Sequence, residues 1–434
     1  MSLVPHVFVR RDVAVQARHP GLSKTPGLSR RSHRGCLFAV TYAVPKPDTS
    51  AGDLRFFEML RLLALRYDVD LWICRAEGQI SDAERSRYEK QLKSHGISVY
   101  SSTTPLSALL AAKCYDAALF EMYWVAEEVA PLFRLAQPHA AVVIDSVDVA
   151  FSREELAQRV GLCEARQVAE TKRRELASYR AADAVIVVSE ADRDLLVKEI
   201  PGLSTAVVRI IMQTHDTALH LESKRLIFVG AFLWPPNEDG IAWFIREIWP
   251  IVRREEPAAT VHIIGSHPTA TVTELSREPG VVLHGYVVDT RPHLKQAAVS
   301  VAPLRYGGGM KGKITEAMAV GLPVVTTHVG AQGFNAADGH ELLIRDDPES
   351  FAKAVLQLLA NTAERVRIGN GGRALTARLC SPEHAQAALY ALFDPMIVPR
   401  RRFAAGWVVY RIAYAMRKTI LKIIPGALVR TSTR

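Results

Sequence analysis

Residues 303–325 hold three consecutive glycines, two lysines and one glutamate between two apolar runs, in the order PLRYGGGMKGKITEAMAVGLPVV. Glycine lets a backbone approach a ligand closely. A glycine turn that opens a helix is also a natural anion site, because unpaired N–H groups and the helix dipole both point at the bound anion. The flanking runs at 299–304 and 323–325 have the composition of buried strands. The segment therefore predicts a strand, a phosphate-binding turn, a helix and a second strand.

Strands and helices are predicted to alternate along most of the chain. Strand 36–42, helix 53–67 and strand 69–73 follow one another as in a parallel doubly wound sheet. After a polar stretch at 216–224, the alternation starts again with strand 225–230. We therefore predict an α/β protein with two Rossmann-like, doubly wound domains that face a central cleft. Ligands of such sheets bind beyond the carboxyl ends of the strands, which places the site in the cleft.

Four segments follow from this pattern. Residues 1–35 are basic, rich in Pro, Gly and Ser, and predicted to be disordered. Residues 36–215 and residues 216–395 are predicted as the two domains. Residues 396–434 form a basic tail in which Trp and Tyr lie beside Arg and Lys, as in an interfacial amphipathic helix. The alternative for the tail is a helix packed on the first domain.

The net charge of +9 is concentrated in the two terminal segments, and no acidic residue follows Asp394. This distribution favours a local anionic partner, such as a membrane surface, and argues against a nucleic-acid-binding protein. Residues 1–35 lack the apolar centre of a signal peptide, and no run of about 20 apolar residues predicts a transmembrane helix. The five cysteines are scattered, which predicts neither a disulfide framework nor a zinc site. We expect a cytoplasmic protein that binds peripherally to the inner face of a membrane.

Four stretches of the sequence resemble the family-4 glycosyltransferases, which have the GT-B fold, and in particular a bacterial polysaccharide or O-antigen-type branch. Residues 303–334 resemble the C-terminal signature of the family, and residues 228–244 resemble the start of its donor domain. Residues 145–155 and 181–192 resemble the acceptor domain of the branch. The resemblance extends over residues 36–392. It implies a retaining, metal-independent glycosyltransferase that takes a UDP- or GDP-linked sugar as donor substrate, needs no cofactor and acts on a glycan or lipid-linked acceptor.

The resemblance also implies roles for single residues of the glycine-rich motif. Glu316 corresponds to the glutamate that holds the ribose hydroxyls, since a carboxylate accepts two hydrogen bonds from a diol. The turn that faces the diphosphate and the sugar corresponds to Gly307, Gly308 and Gly309. The cations for the departing diphosphate are Lys311, Lys313 and Arg305. The candidate catalytic residues are Lys311, Arg305 and Glu316.

Further candidates lie outside that motif. A second loop expected to face the cleft carries Gly230, Asn237 and Asp239. The acceptor-side candidates are Gly52, which also approaches the donor phosphates, Arg55, Asp148 and Arg153. Structural alternatives remain open for several of these residues. Glu316 could face solvent, and one of Lys311 and Lys313 could be solvated, since the two cannot share one helix face. Gly52 could serve only the turn, and Asp148 and Arg153 could cap or pair locally.

Two positions depart from the family pattern. Gly308 stands where many members have a glutamate that contacts the donor sugar, eight residues before Glu316. Ala150 stands where the branch often has a histidine. Two alternatives stay open: a catalytically impaired GT-B scaffold at a membrane, which Ala150 favours, and a nucleotide-sugar 2-epimerase, which shares the architecture of two facing Rossmann-like domains. A dinucleotide dehydrogenase is disfavoured, because no Gly-x-Gly-x-x-Gly follows the first strand of either domain.

Overall fold

The computed structural model describes residues 34–75, 81–215, 220, 222–397, 409 and 411–414. Most of the predicted disordered N-terminal segment and most of the predicted basic tail therefore lie outside the described residues. Residues 409 and 411–414 are helical, and the side chains of Val409 and Ile412 are exposed. Among the helices described, none has the length and hydrophobicity that a membrane span requires.

The first half of the described chain folds around a parallel sheet of seven strands, in the order β3-β2-β1-β4-β5-β6-β7. Its strands are β1 (Cys36–Thr41), β2 (Asp68–Ile73), β3 (Ser98–Ser101), β4 (Ala117–Glu121), β5 (Ala141–Asp145), β6 (Ala184–Val187) and β7 (Thr205–Val207). Its helices are α1 (Ala51–Ala64), α2 (Asp82–Ser94), α3 (Leu106–Ala112), α4 (Tyr123–Ala136), α5 (Ala150–Arg159), α6 (Ala165–Arg180) and α7 (Glu190–Glu199). The central strands are apolar runs buried on both faces, as in a parallel sheet covered by helices.

The second half folds around a parallel sheet of six described strands, in the order β10-β9-β8-β11-β12-β13. Its strands are β8 (Arg225–Val229), β9 (Thr260–Ile264), β10 (Val281–Gly285), β11 (Val299–Ala302), β12 (Val324–Thr326) and β13 (Leu343–Ile344). Its first helices are α8 (Pro235–Trp243), α9 (Trp249–Glu255), α10 (Ala270–Leu275), α11 (Arg291–Lys295) and α12 (Gly312–Ala319). They are followed by α13 (His328–Ala331), α14 (Pro348–Ala360), α15 (Thr362–Cys380) and α16 (Pro382–Phe393). The predicted architecture of two Rossmann-like, doubly wound sheets is confirmed.

The last long helix returns to the first lobe. Leu389 and Phe393 of α16 join the apolar core that α1 covers, and the Tyr67 hydroxyl donates a hydrogen bond to Asp394 Oδ1 at 2.5 Å. Residues 216–395 are predicted as one domain, and the structure differs at its end, because α16 packs on the first sheet. The surface complementary to the apolar face of α16 lies on the first lobe. A pattern of apolar residues predicts a helix but not which of the two sheets that helix will cover.

Candidate active site

A cleft with a volume of about 1910 Å³ lies between the two lobes, where the strands of both sheets end. The first lobe lines it with residues 46–54, which lead into α1, and with residues 146–148, which follow β5. The second lobe lines it with residues 229–231, which follow β8, and with residues 306–313, which connect β11 to α12. The glycine turn is thus part of the cleft wall.

The turn at 307–309 is shaped for glycine. Gly307 has a φ of +141° and Gly309 a φ of +60°, which are conformations that residues with a Cβ rarely adopt. Lys311 holds the N-cap position of α12, and no side chain of the described residues caps this helix. The Ile314 N–H donates to the Lys311 carbonyl at 3.0 Å, so the N–H groups of Gly312 and Lys313 are the ones left for a ligand in the cleft, and an anion is the ligand that suits them.

The amine of Lys311 is buried behind the turn. Its Nζ donates hydrogen bonds to the carbonyl oxygens of Gly308 at 3.0 Å and Gly309 at 2.5 Å. Burial lowers the pKa of Lys311 to about 8, although the charges of Asp148 and Asp192 act in the opposite direction. The amine holds the two glycine carbonyls together and forms no ion pair with the carboxylates of the described residues.

The amine of Lys313 points to the other side of the turn. Its Nζ donates a hydrogen bond to Asn237 Oδ1 and lies 4.3 Å from the centre of the Phe228 ring. A Cβ on Gly230 would come within 2.8 Å of this Nζ, so the glycine leaves the room that the amine occupies. Burial, together with the charge of Lys311, lowers the pKa of Lys313 to about 7. Both lysines therefore line the cleft, Lys311 buried and Lys313 half-buried.

Glu316 follows Lys313 by three residues in α12, so the two side chains are neighbours on the helix surface. It lines the cleft, and the Thr290 hydroxyl donates a hydrogen bond to Glu316 Oε2 at 3.0 Å. Burial raises the pKa of the Glu316 carboxyl, while the Thr290 hydrogen bond and the Lys313 charge lower it. The carboxylate is thus positioned one helical turn beyond the glycine turn. Nothing in the sequence around Thr290 pointed to this contact.

Arg305 is placed differently from the prediction. Its Nε donates to Asp239 Oδ2 at 2.9 Å, and a second hydrogen bond joins Arg305 Nη2 to Asp239 Oδ1. Neither residue lines the cleft. The two charges satisfy each other, and the pair ties the residues after β11 to α8.

Arg55 also differs from its predicted acceptor-side role. It is only 1% exposed, and its Nη1 donates to both carboxylate oxygens of Asp145, at 2.8 and 2.6 Å. Its Nε donates to the Val208 carbonyl at 2.9 Å. Arg55 does not line the cleft. It forms a core ion pair that anchors the end of β5, from which the loop carrying Asp148 starts.

Asp148 and Arg153 do line the cleft, and they pair with each other. Arg153 Nη1 donates to Asp148 Oδ2 at 2.5 Å, and the Arg153 guanidinium lies over the ring of Trp234, 4.8 Å from its centre. Trp234 belongs to the second lobe, so this stack crosses the cleft. Gly52 lies beside the same loop, since a Cβ there would be 3.6 Å from Val147 Cγ1. The predicted local pairing is present, and it lies in the cleft wall.

The start of α5, where Ala150 lies, is capped by a carboxylate from α6. The backbone N–H groups of Ala150 and Phe151 donate to the two carboxylate oxygens of Glu175, each at 2.9 Å. Burial raises the pKa of Glu175 to about 7, and these two hydrogen bonds act against that rise. This helix start is therefore closed by the chain itself. The sequence offered no signal for it, because Glu175 lies in an ordinary charged stretch of α6.

Solved structures with the same architecture are GT-B glycosyltransferase structures. TarM of S. aureus, a mutant in complex with Fondaparinux, alpha-GlcNAc-glycerol and UDP, is 12% identical with a TM-score of 0.65, covering 83% of this chain and 100% of that chain. Anabaena Alr3699/HepE in complex with UDP-glucose is 15% identical with a TM-score of 0.61, covering 83% and 99%. Sucrose-phosphate synthase from Thermosynechococcus elongatus is 16% identical with a TM-score of 0.65, covering 84% and 99%. The protein has the GT-B fold.

Sequence comparisons point to the same class through the second lobe. Residues 223–361 match the family model for Glycosyl transferases group 1. An uncharacterized 44.6 kDa protein in the cps region of Klebsiella pneumoniae is 26% identical over 150 residues, which are 32% of this chain and 38% of that protein. The match therefore spans less than half of the relative. The matched family segment contains the glycine turn, Lys311, Lys313 and Glu316.

Proposed function

We propose that the protein is a glycosyltransferase that moves a sugar from a nucleoside-diphosphate sugar to a glycan or lipid-linked acceptor. The observation that carries this proposal is the pair of amines of Lys311, which is buried, and Lys313, which is half-buried. Their hydrogen-bond partners are neutral oxygens, the glycine-turn carbonyls for Lys311 and the Asn237 side chain for Lys313. A buried amine without a carboxylate partner is costly unless an anion joins it. A diphosphate is an anion of the required charge.

The rest of the donor follows from the direction of α12. With the diphosphate at the start of the helix, a pentose attached to it lies further along, where Glu316 accepts hydrogen bonds from its hydroxyls. The bound ligands named for TarM and HepE, UDP and UDP-glucose, support a nucleotide of this kind. UDP- and GDP-linked sugars are both candidate donors.

The reaction we propose retains the anomeric configuration and uses no metal ion. The bond between the anomeric carbon and the diphosphate oxygen breaks while the acceptor oxygen bonds on the same face, and the departing diphosphate takes the acceptor proton. The turn N–H groups and the two ammonium groups stabilise the negative charge that builds on the diphosphate. The two lobes hold donor and acceptor in the geometry for transfer.

The proposal extends to the acceptor and to the membrane. Arg153 and Trp234 offer a cation and an aromatic face in the cleft, which are groups that bind sugars through hydrogen bonds and ring stacking. The basic segments predicted at 1–35 and 396–434 would bring the cleft to an anionic membrane, where a lipid-linked acceptor is found. Liposome flotation of the whole chain at low and high salt tests this association.

The first experiment is a thermal-shift screen of the whole chain with UDP, GDP and a panel of their sugars, in the presence of EDTA. A bound donor raises the melting temperature in proportion to the logarithm of its concentration over its Kd. Release of nucleoside diphosphate on adding an acceptor then establishes transfer. Donor binding without release would favour the impaired scaffold, and an altered sugar attached to no acceptor would favour the epimerase.

Variants of the same chain test the site. Lys311→Ala and Glu316→Ala are each expected to lower turnover by about 100-fold, because each removes a group facing the charge or the pentose of the donor. Lys353→Ala serves as the matched control, since Lys353 is an exposed lysine on α14 of the same lobe. Full turnover of the Lys311→Ala, Glu316→Ala double variant would reject the site.

A further inference from the structure

Asp148 of the first lobe lies directly against the glycine turn of the second lobe. A Cβ placed on Gly308 would lie 2.5 Å from Asp148 Oδ2 and 3.1 Å from its Cβ and its Cγ. A Cβ on Gly309 would lie 3.2 Å from the Asp148 Cβ. The aspartate side chain thus occupies the volume that a side chain at position 308 would fill. We propose that Asp148 binds the sugar of the donor from the opposite lobe, in the place of a side chain at position 308, an inference that rests on the proposed function.

The carboxylate of Asp148 is held firmly and has one oxygen left over. Oδ2 accepts the hydrogen bond from Arg153, and Arg153 is fixed in turn by its stack on Trp234. Oδ1 has no hydrogen-bond partner within the part of the chain that the structure describes. Asp148 is only 8% exposed and lines the cleft. Oδ1 is not fully buried, so it is open to the cleft and can accept a hydrogen bond from a molecule bound there.

Charge decides which part of the donor this carboxylate faces. A carboxylate repels a diphosphate, which places the diphosphate on the side of the Lys311 and Lys313 amines. Sugar hydroxyls are neutral donors, and a carboxylate oxygen is a strong acceptor for them. In the transition state, the anomeric carbon gains positive charge as its bond to the diphosphate oxygen lengthens, and a nearby carboxylate stabilises that charge. Asp148 therefore suits the sugar end of the donor, a different role from the acceptor-side one predicted from the sequence.

The placement of Asp148 also accounts for the glycine at position 308. The resembling family often has a glutamate there, and in this protein that side chain would collide with Asp148. Supplying the carboxylate from the first lobe has a consequence for recognition. The carboxylate reaches the sugar only while the two lobes are as close as they are in this structure, so sugar binding and the closed cleft favour each other.

The first test separates sugar binding from nucleotide binding. Isothermal titration calorimetry measures the Kd values of UDP and GDP, and of UDP-glucose, UDP-N-acetylglucosamine and GDP-mannose, for the wild type and for Asp148→Asn. We expect Asp148→Asn to raise the Kd of the most tightly bound nucleotide sugar by about tenfold, because a charged hydrogen bond is lost. The affinity for the nucleoside diphosphate stays the same or rises slightly, since a repelling charge is removed. Asp194→Asn, on the exposed side of α7, is the matched control and changes neither value.

A second pair of variants moves the carboxylate to the other lobe. Asp148→Gly removes the side chain, and Asp148→Gly combined with Gly308→Glu returns a carboxylate to the same volume from the second lobe. Gly308 has no positive φ, so a glutamate fits its backbone conformation. We expect the double variant to bind the nucleotide sugar more tightly than Asp148→Gly does, and Gly308→Glu alone to bind it more weakly than the wild type.

The outcomes separate this inference from the proposed function. Asp148→Asn could weaken the affinities for the nucleotide and for the nucleotide sugar equally, or change neither. Either result would overturn the role of Asp148 and leave the donor site intact. A wild type that binds none of the five ligands would overturn the proposed function and this inference together. If Asp148→Asn does not fold, the test is the double variant Asp148→Gly, Gly308→Glu. The inference is rejected if this double variant binds the nucleotide sugar no more tightly than Asp148→Gly does.

Discussion

Arg55 and Asp145 form an ion pair in the core of the first lobe, 90 residues apart in the chain. Arg55 is 1% exposed and Asp145 is fully buried, so neither charge reaches solvent. The pair joins α1 to the end of β5, and the Val147 N–H donates to Asp145 Oδ1 at 3.4 Å. The ion pair thereby supports the loop that presents Asp148 to the cleft.

Removing Arg55 tests whether this pair is structural. Arg55→Leu is expected to lower the free energy of unfolding by about 3–5 kcal/mol, because it leaves the Asp145 charge buried and unpaired. Adding Asp145→Asn removes that charge and recovers part of the loss. Urea denaturation followed by circular dichroism gives the free energies. Unchanged stability together with lost turnover would instead support the acceptor-side role that the sequence predicts for Arg55.

The pH dependence of donor binding is expected to follow the amines of Lys311 and Lys313. The pKa of Lys311 is lowered to about 8 and that of Lys313 to about 7, so both amines lose their protons above pH 8 in the free protein. Since a diphosphate pairs with the ammonium form, the affinity for UDP or GDP falls as the pH rises from 7 to 9, by up to about tenfold per pH unit for each proton taken up. Calorimetry in buffers of different ionisation enthalpy measures that uptake. Lys313→Met should reduce it, and a pH-independent affinity would contradict the prediction.

The same two amines affect the stability of the free protein in the opposite direction: it is expected to rise with pH. Their pKa values are lower in the folded protein than the ordinary value of 10.5, so the unfolded chain binds more protons between pH 7 and 10.5. The contribution of these lysines to the free energy of unfolding therefore rises with pH across that window. Thermal unfolding of the wild type and of Lys313→Met at several pH values isolates the share of Lys313.

Gly312 sets how closely the two lobes meet. A Cβ at position 312, the first residue of α12, would lie 2.2 Å from the Cβ of Ala51, the first residue of α1. Gly312→Ala is expected to push the two helix starts apart, at a cost of about 1–3 kcal/mol in stability. It also lowers turnover, because the glycine turn and the Asp148 loop separate. Ala51→Gly in the same chain removes the clash, so activity should return, and a double variant as inactive as Gly312→Ala would contradict this explanation.

Arg305 is expected to be dispensable for donor binding. Its charge is satisfied by Asp239, and the pair does not line the cleft. Arg305→Ala should leave the Kd for UDP or GDP unchanged and change stability by at most about 1 kcal/mol, as for other partly exposed ion pairs. Lys313→Ala in parallel shows the loss expected of a residue facing the ligand. A tenfold weaker affinity for Arg305→Ala would place this arginine back in the donor site.

The amino-acid sequence by itself determined the succession of strands and helices and the position of the glycine turn. Buried strands are apolar runs and helices have their own period, and both signals depend only on neighbours in the chain. The turn at 307–309 could be found for the same reason, because its glycines, the lysines and Glu316 lie within ten residues of each other. The predicted terminal segments lie mostly outside the described residues, and their membrane role stays a prediction.

Only the tertiary structure decided which charges face the cleft. Arg55 and Arg305 carry the same group as any ligand-binding arginine, and each is neutralised by an aspartate from a distant part of the chain. The contact of Asp148 with Gly308 and the return of α16 to the first lobe likewise depend on segments brought together by folding. The free energy of a charged side chain is set by its burial and by the charges around it, and these are properties of the packed molecule rather than of the local sequence.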